Sequence, residues 1–166
     1  MDMKDCMTTL LIREIDGFAR ELALFPDDES IWKTLPGVTN SAGNLAMHVA
    51  GNLQHYVGEV LGGSLYQRNR DLEFNGKSGT RSEIMAELTR ASNVVRDVLT
   101  SMPEARLSDT YPEAVMGLRF NTVEFLMHLC VHAGFHLGQA GYLRRIATQN
   151  RESSNPLPLA ALANPD

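Results

Sequence analysis

Between Met3 and Phe25, apolar side chains fall at Met3, Cys6, Met7, Leu10, Leu11, Ile15, Phe18, Leu22 and Phe25. Steps of three and four place them on one side of a helix, and Pro26, with no amide proton to donate, stops the run. A second helix is predicted from Ser41 to Leu61, closed by Gly62 and Gly63, where left-handed backbone meets no Cβ penalty. Thr80 and Glu83 have capping-box spacing, so a third helix is predicted from Arg81 to Ser101, ending at Pro103. Asn121 and Glu124 offer a second box ahead of the longest helix, Thr122 to Thr148.

The segments between are rich in breakers. "PDDESIWKTLPGVTNSAGN" reads as a structured connection with Trp32 as its large aromatic, and "SLYQRNRDLEFNGKSG" as a polar loop or frayed turn. "LSDTYPEAVMGLRF", with Pro112 and Gly117, suggests an irregular or hairpin-like connector. After Thr148 three prolines and few anchors predict a tail, 149–166, either draped on the surface or disordered. Four helices of about 20 residues predict an all-α fold, an antiparallel four-helix bundle forming a single domain over 1–166.

The 166 residues are 43% apolar, enough to bury a sizeable core. Net charge is −5 and no basic run exceeds Arg144-Arg145, so no nucleic-acid partner is expected. The amino end, "MDMKDCMTTLLIREID", interrupts a short apolar run with charges, which fits neither a signal peptide nor a membrane span; a cytoplasmic protein is the expectation. Cys6 and Cys130 match no CxxC spacing and read as reduced core thiols.

Candidate chemistry concentrates in "HLCVHAGFHLGQAGYLRR". Four residues advance about 40° around a helix, so His128, His132 and His136 form a slanted row. Phe125, Leu129, Ala140 and Leu143 lie beside or within that row, which turns the imidazoles toward the bundle interior. A His-x-x-x-His pair on adjacent turns can grip one metal ion, with a third ligand from another helix. The second helix offers a polar stripe of Asn44, His48, Asn52, His55 and Glu59, with His48 and His55 pointing almost the same way. Such a stripe is also what an ordinary solvated face looks like, and the metal reading stands beside that one. Cys130, about 160° from His132 on the helix, points away.

"HVAGNLQHYVGEVLGG" with its His48, and the HxxxHxGQ run of His132, His136, Gly138 and Gln139, resemble the DinB/YfiT-like superfamily of metal-dependent four-helix-bundle enzymes. The likeness extends along the chain to about Thr148. It implies a divalent-metal site of His48, His132 and His136, with His55 and His128 outside it. It also implies relatives among S-transferases that use low-molecular-weight thiols and a mycothiol-dependent maleylpyruvate isomerase.

Three neutral imidazoles leave a bound ion an open position, with zinc or nickel the leading choices. A water or thiol there is acidified, so transfer to, or hydrolysis of, a small electrophilic substrate shares a first step. Candidate catalytic groups are Gln139, Glu59 and His55. Gln139 could equally make an interhelical hydrogen bond, and Trp32, Tyr56 and Tyr142 could wall a pocket or plug the core. Gly134, Gly138 and Gly141 offer a close-packing strip for a neighbouring helix or for a homodimer mate. A non-catalytic stress-response or binding module stapled by metal is the alternative function, and a metal-free helical partner protein a third.

Overall fold

The computed structural model describes residues 2–163. Its regular structure is helical: α1 (Met3–Ala23), α2 (Asp28–Ile31), α3 (Ala42–Leu53), α4 (Arg70–Asn75), α5 (Arg81–Ser101) and α6 (Thr122–Thr148). No strand forms among the described residues. The connector before α6 holds two isolated bridges, Thr110 with Asn121 and Val115 with Leu118, giving it a hairpin-like path. Among the described residues no helix is long and apolar enough to cross a membrane.

Reciprocal capping boxes start three of the long helices: Ser41 with Asn44, Thr80 with Glu83 and Asn121 with Glu124. Each supplies partners for amides that the first helical turn leaves free. Two connectors hold short helices that periodicity did not predict, α2 in the first and α4 in the segment expected to be a loop or frayed turn. α4 is only six residues long, too short for a hydrophobic period to register, and is started by Asn69 accepting from the Leu72 amide.

The second predicted helix also differs. It is α-helical only to Leu53 and then widens into a π-helix over Gln54–Leu61 before Gly63 turns left-handed at φ 70°. The wide turns pack on α5 through glycine: a Cβ on Gly58 would lie 2.7 Å from Val94 Cγ1.

One core joins the long helices, with Leu11, Phe18, Leu22, Val49, Leu53, Leu88, Leu99 and Leu126 all nearly or fully buried. α1 and α3 each pack against both α5 and α6. The contacts give direction to the pairs. Lys4 Nζ donates to Met102 O and Arg81 Nη2 to Phe25 O, so α1 and α5 are opposed. Along α1 and α6, Cys130 meets Met7 and Arg144 meets Glu21, so those two run the same way. Tyr56 meets Phe125 while Leu45 shares a cavity with Tyr142 and Leu143, so α3 and α6 are opposed.

The chain after α6 folds back over α1. Arg144, fully buried, pairs with buried Glu21 and donates to the carbonyls of Asn150 (2.9 Å) and Glu152 (2.7 Å). Ser154 Oγ donates to Glu21 Oε1 at 2.6 Å, and Arg20 reaches the carbonyls of Asn155 and Pro156. A short 3-10 turn, Leu159–Leu162, follows.

Candidate metal centre

Opposed packing of α3 and α6 sets His48 on one helix against two successive turns of the other. His132 Nε2 lies 3.2 Å from His48 Nε2 and 3.1 Å from His136 Nε2. All three ligand nitrogens fall within 4.8 Å of one another. The rings meet edge to face, with interplanar angles of 77–89°. Two imidazole nitrogens held about 2.0–2.1 Å from one ion at a tetrahedral angle would stand about 3.3–3.4 Å apart, close to the separations of His132 from each of the other two.

Proton positions sharpen the test. His48 Nδ1 lies 2.9 Å from Glu73 Oε2, a carboxylate oxygen that accepts, which puts the ring proton on Nδ1 and leaves Nε2 with a bare lone pair. His136 Nδ1 donates to Gln139 Oε1 at 2.7 Å, with the same result. His132 Nε2 faces both lone pairs. One proton there can satisfy only one of them, so hydrogen bonding among the three rings leaves a nitrogen lone pair unmet. A cation at the convergence point satisfies all three, and these residues therefore fit a divalent metal.

The electrostatics agree. Burial first, then the neighbouring imidazoles of His136, His48 and His128 and the Arg68 charge, depress His132 to about 3. Burial also lowers His136, against the opposing pull of the Gln139 bond. Both rings are thus neutral near pH 7, the form that ligates metal. Burial pushes the Glu73 carboxyl up, but hydrogen bonds from Arg68 and His48 outweigh it and hold Glu73 below the usual carboxylate range. Arg68 grips it with two bonds, Nε to Oε1 at 2.7 Å and Nη2 to Oε2 at 2.8 Å.

Glu73 reaches the site because α4 lies against α3. Asn44 Nδ2 donates to the carbonyls of Glu73 (2.9 Å) and Gly76 (2.7 Å), fastening both ends of that contact. The carboxylate occupies the space a Cβ on Gly51 would need, so α3 requires glycine there. Phe74, next in sequence, packs on the His48 ring at 4.6 Å between centroids.

The remaining candidates divide. Gln139 lies beside His136 and holds its orientation. His55 is outside the group of three: its Nδ1 pairs with Glu59 Oε2 at 2.7 Å and its Nε2 lies 3.6 Å from Glu113 Oε2. His55 follows His48 by two helical turns, about 10.5 Å along the axis, so a shared face does not bring it to the cluster. Glu59 is committed to the same local pair. His128 stacks on Phe125 and His132, each at 5.9 Å. Burial pushes the Cys130 thiol up to about 12, and its sulfur faces Met7 O. Trp32 donates to Gly79 O at 2.7 Å and braces loops. Tyr142 borders a cavity of about 290 Å³ with Gln139, Leu35, Val38, Leu45 and Ile146.

Sequence reasoning missed Arg68, Glu73, Phe74 and Glu113. A carboxylate set between Leu72 and Phe74 in an otherwise polar segment was the one available signal for Glu73.

Comparison places the chain in a family. The family described as "Protein of unknown function (DUF1572)" matches residues 7–158, and the chain belongs to it. No curated protein matches. A solved structure titled "Crystal structure of the conserved protein of locus from Enterococcus faecalis" superposes with a TM-score of 0.72 at 16% identity, covering 90% of this chain and 99% of that one. At that identity the likeness concerns the fold.

Proposed function

We propose that this DUF1572-family chain is a metal-dependent enzyme of the DinB/YfiT-like type. In this reading His48, His132 and His136 hold a divalent ion, zinc or nickel, and a small electrophilic substrate reacts with water or a low-molecular-weight thiol. The four long helices then form the four-helix bundle of that type, with α1 opposed to α5 and α3 to α6, while α1 and α6 run the same way in place of an all-antiparallel arrangement.

The observation that carries the reading is the convergence of three Nε2 atoms whose lone pairs hydrogen bonds cannot all satisfy. When bound, an ion with only three imidazole ligands supplies Lewis acidity, polarising the substrate and lowering the pKa of a water or thiol. The chain does the positioning. Glu73 keeps the His48 proton on Nδ1, Gln139 keeps the His136 proton on Nδ1, and Arg68 keeps Glu73 ionised. Gln139 is thereby a positioning residue. His55, held by Glu59 and close to Glu113, is the candidate proton carrier on the same helix.

A second reading has support of its own: the three histidines tie α3 to α6, as a structural staple would. The test is elemental analysis of untagged protein, then stripping and reloading, then a screen of thiols and electrophiles against the loaded form. The enzymatic reading expects about one ion per chain, a metal-free protein that remains folded, and turnover lost in His132→Ala. A large drop in melting temperature on stripping, with no small molecule bound or converted, would leave the staple. Absence of metal from both wild type and His132→Ala would remove both readings.

A further inference from the structure

α6 is apolar on nearly every side, and the chain covers only part of it. Met127, Val131, Phe135, Tyr142 and Ile146 are 52–73% exposed. With Gly138 they recur at steps of four, four, three, four and four, one continuous stripe along the outer face. It spans about 28 Å at about 1.5 Å per residue. Helices of globular proteins ordinarily turn polar side chains outward, so this one is shaped for a neighbour.

Gly138 supplies a second, independent observation. A glycine inside a helix costs roughly 0.5–1 kcal/mol against alanine. Gly51 and Gly58 each have a reason within the chain, since a Cβ would strike Glu73 or Val94. At Gly138 a Cβ would meet nothing within 4 Å, and its φ is not positive. Nothing among the described residues uses the space that Gly138 leaves.

The stripe is complementary to itself. Met127 with Ile146, Val131 with Tyr142 and Phe135 with Gly138 share one midpoint, between His136 and Leu137. A second copy of α6 packed antiparallel about a two-fold axis there would set Phe135 of one chain beside Gly138 of the other, a ring against a gap. Val131 would lie beside Tyr142, again small against large. The three-and-four spacing of Val131, Phe135, Gly138 and Tyr142 is the one that closes a two-helix seam.

We propose that this face joins two copies of the chain through an antiparallel α6–α6 contact centred between residues 136 and 137. Five half-exposed side chains remove on the order of 100 Å² each, which brings the total over both copies to about the 1,000 Å² a specific interface needs. Val38, 40% exposed beside Tyr142 and Ile146, extends the contact. The inference rests on packing and stands whether or not the histidines bind metal.

The experiment is sedimentation equilibrium on the full chain and on two variants, Phe135→Asp and Gly138→Leu, with helix content followed by circular dichroism. Wild type is expected at twice the 18.4 kDa chain mass. Each variant should weaken dimerisation at least 100-fold with helix content unchanged, and the open space at Gly138 lets a leucine enter the separate chain without a clash. A monomeric wild type at 100 µM would overturn the proposal, as would variants that dimerise as tightly as wild type, which would move the interface to another face. A monomer that co-sediments with neutral phospholipid vesicles would also overturn it and assign the stripe to a lipid surface.

Discussion

Exchanging Glu73 for glutamine keeps the shape of the side chain and removes its charge. In the folded protein the carboxylate accepts three bonds, from Arg68 Nε, Arg68 Nη2 and His48 Nδ1, at 2.7, 2.8 and 2.9 Å. An amide offers one accepting oxygen, and its NH2 group must face a donor. The His48 ring then loses the anion that fixes its tautomer. Loss of such an outer partner typically lowers metal affinity 10–100-fold, about 1.4–2.7 kcal/mol. Arg68 is only 10% exposed and loses its counter-charge, so the metal-free fold should also weaken by about 1–3 kcal/mol, or about 2–12 °C in melting temperature. Competition against a chromophoric chelator reads the first effect and thermal melting of chelated protein the second. An affinity within twofold of wild type, in a variant that remains folded, would refute the assignment of Glu73 to the centre.

Gly51→Ala tests the same contact from the opposite side. Its methyl group must displace the Glu73 carboxylate, so metal affinity should fall in chelator competition although alanine is the better helix former. Glu21→Ala leaves Arg144 charged, fully buried and without its partner, and should lower stability by about 3–5 kcal/mol in denaturant titration. Stability of metal-free protein should also depend on pH. His132 is depressed to about 3 in the fold against an ordinary value of 6.5, so between those values the unfolded chain takes up a proton that the fold refuses. The contribution of His132 is level above about pH 6.5 and is lost progressively below it down to about 3, so a shallower slope over that window is expected in His132→Phe.

The long helices were legible because α1 and α5 each carry one apolar stripe over some twenty residues and three begin with a side-chain cap written locally as S/T/N-x-x-E/N. His132 and His136 were legible for the same local reason, since four residues on a helix fix their relation whatever surrounds it. His48 entered as one of two histidines on the second helix's polar stripe, and family resemblance alone chose it over His55, because no spacing along the chain states that α3 opposes α6. What escaped depends on contacts far apart in sequence or on backbone that departs from the regular period. Glu73 is 25 residues from His48 and acts through a six-residue helix too short to show a period. Arg68 is visible only once Glu73 is in place.

The π-helix is the more instructive miss. "QHYVGEVL" carries an ordinary α-helical pattern, and the widening shows only where Gly58 and Gly62 let α5 come close. His55 stands seven residues beyond His48, about 10.5 Å along the helix axis, too far to share its ion even where the two side chains share a face. It pairs instead with Glu59 and lies near Glu113, and three ring nitrogens are left at the centre.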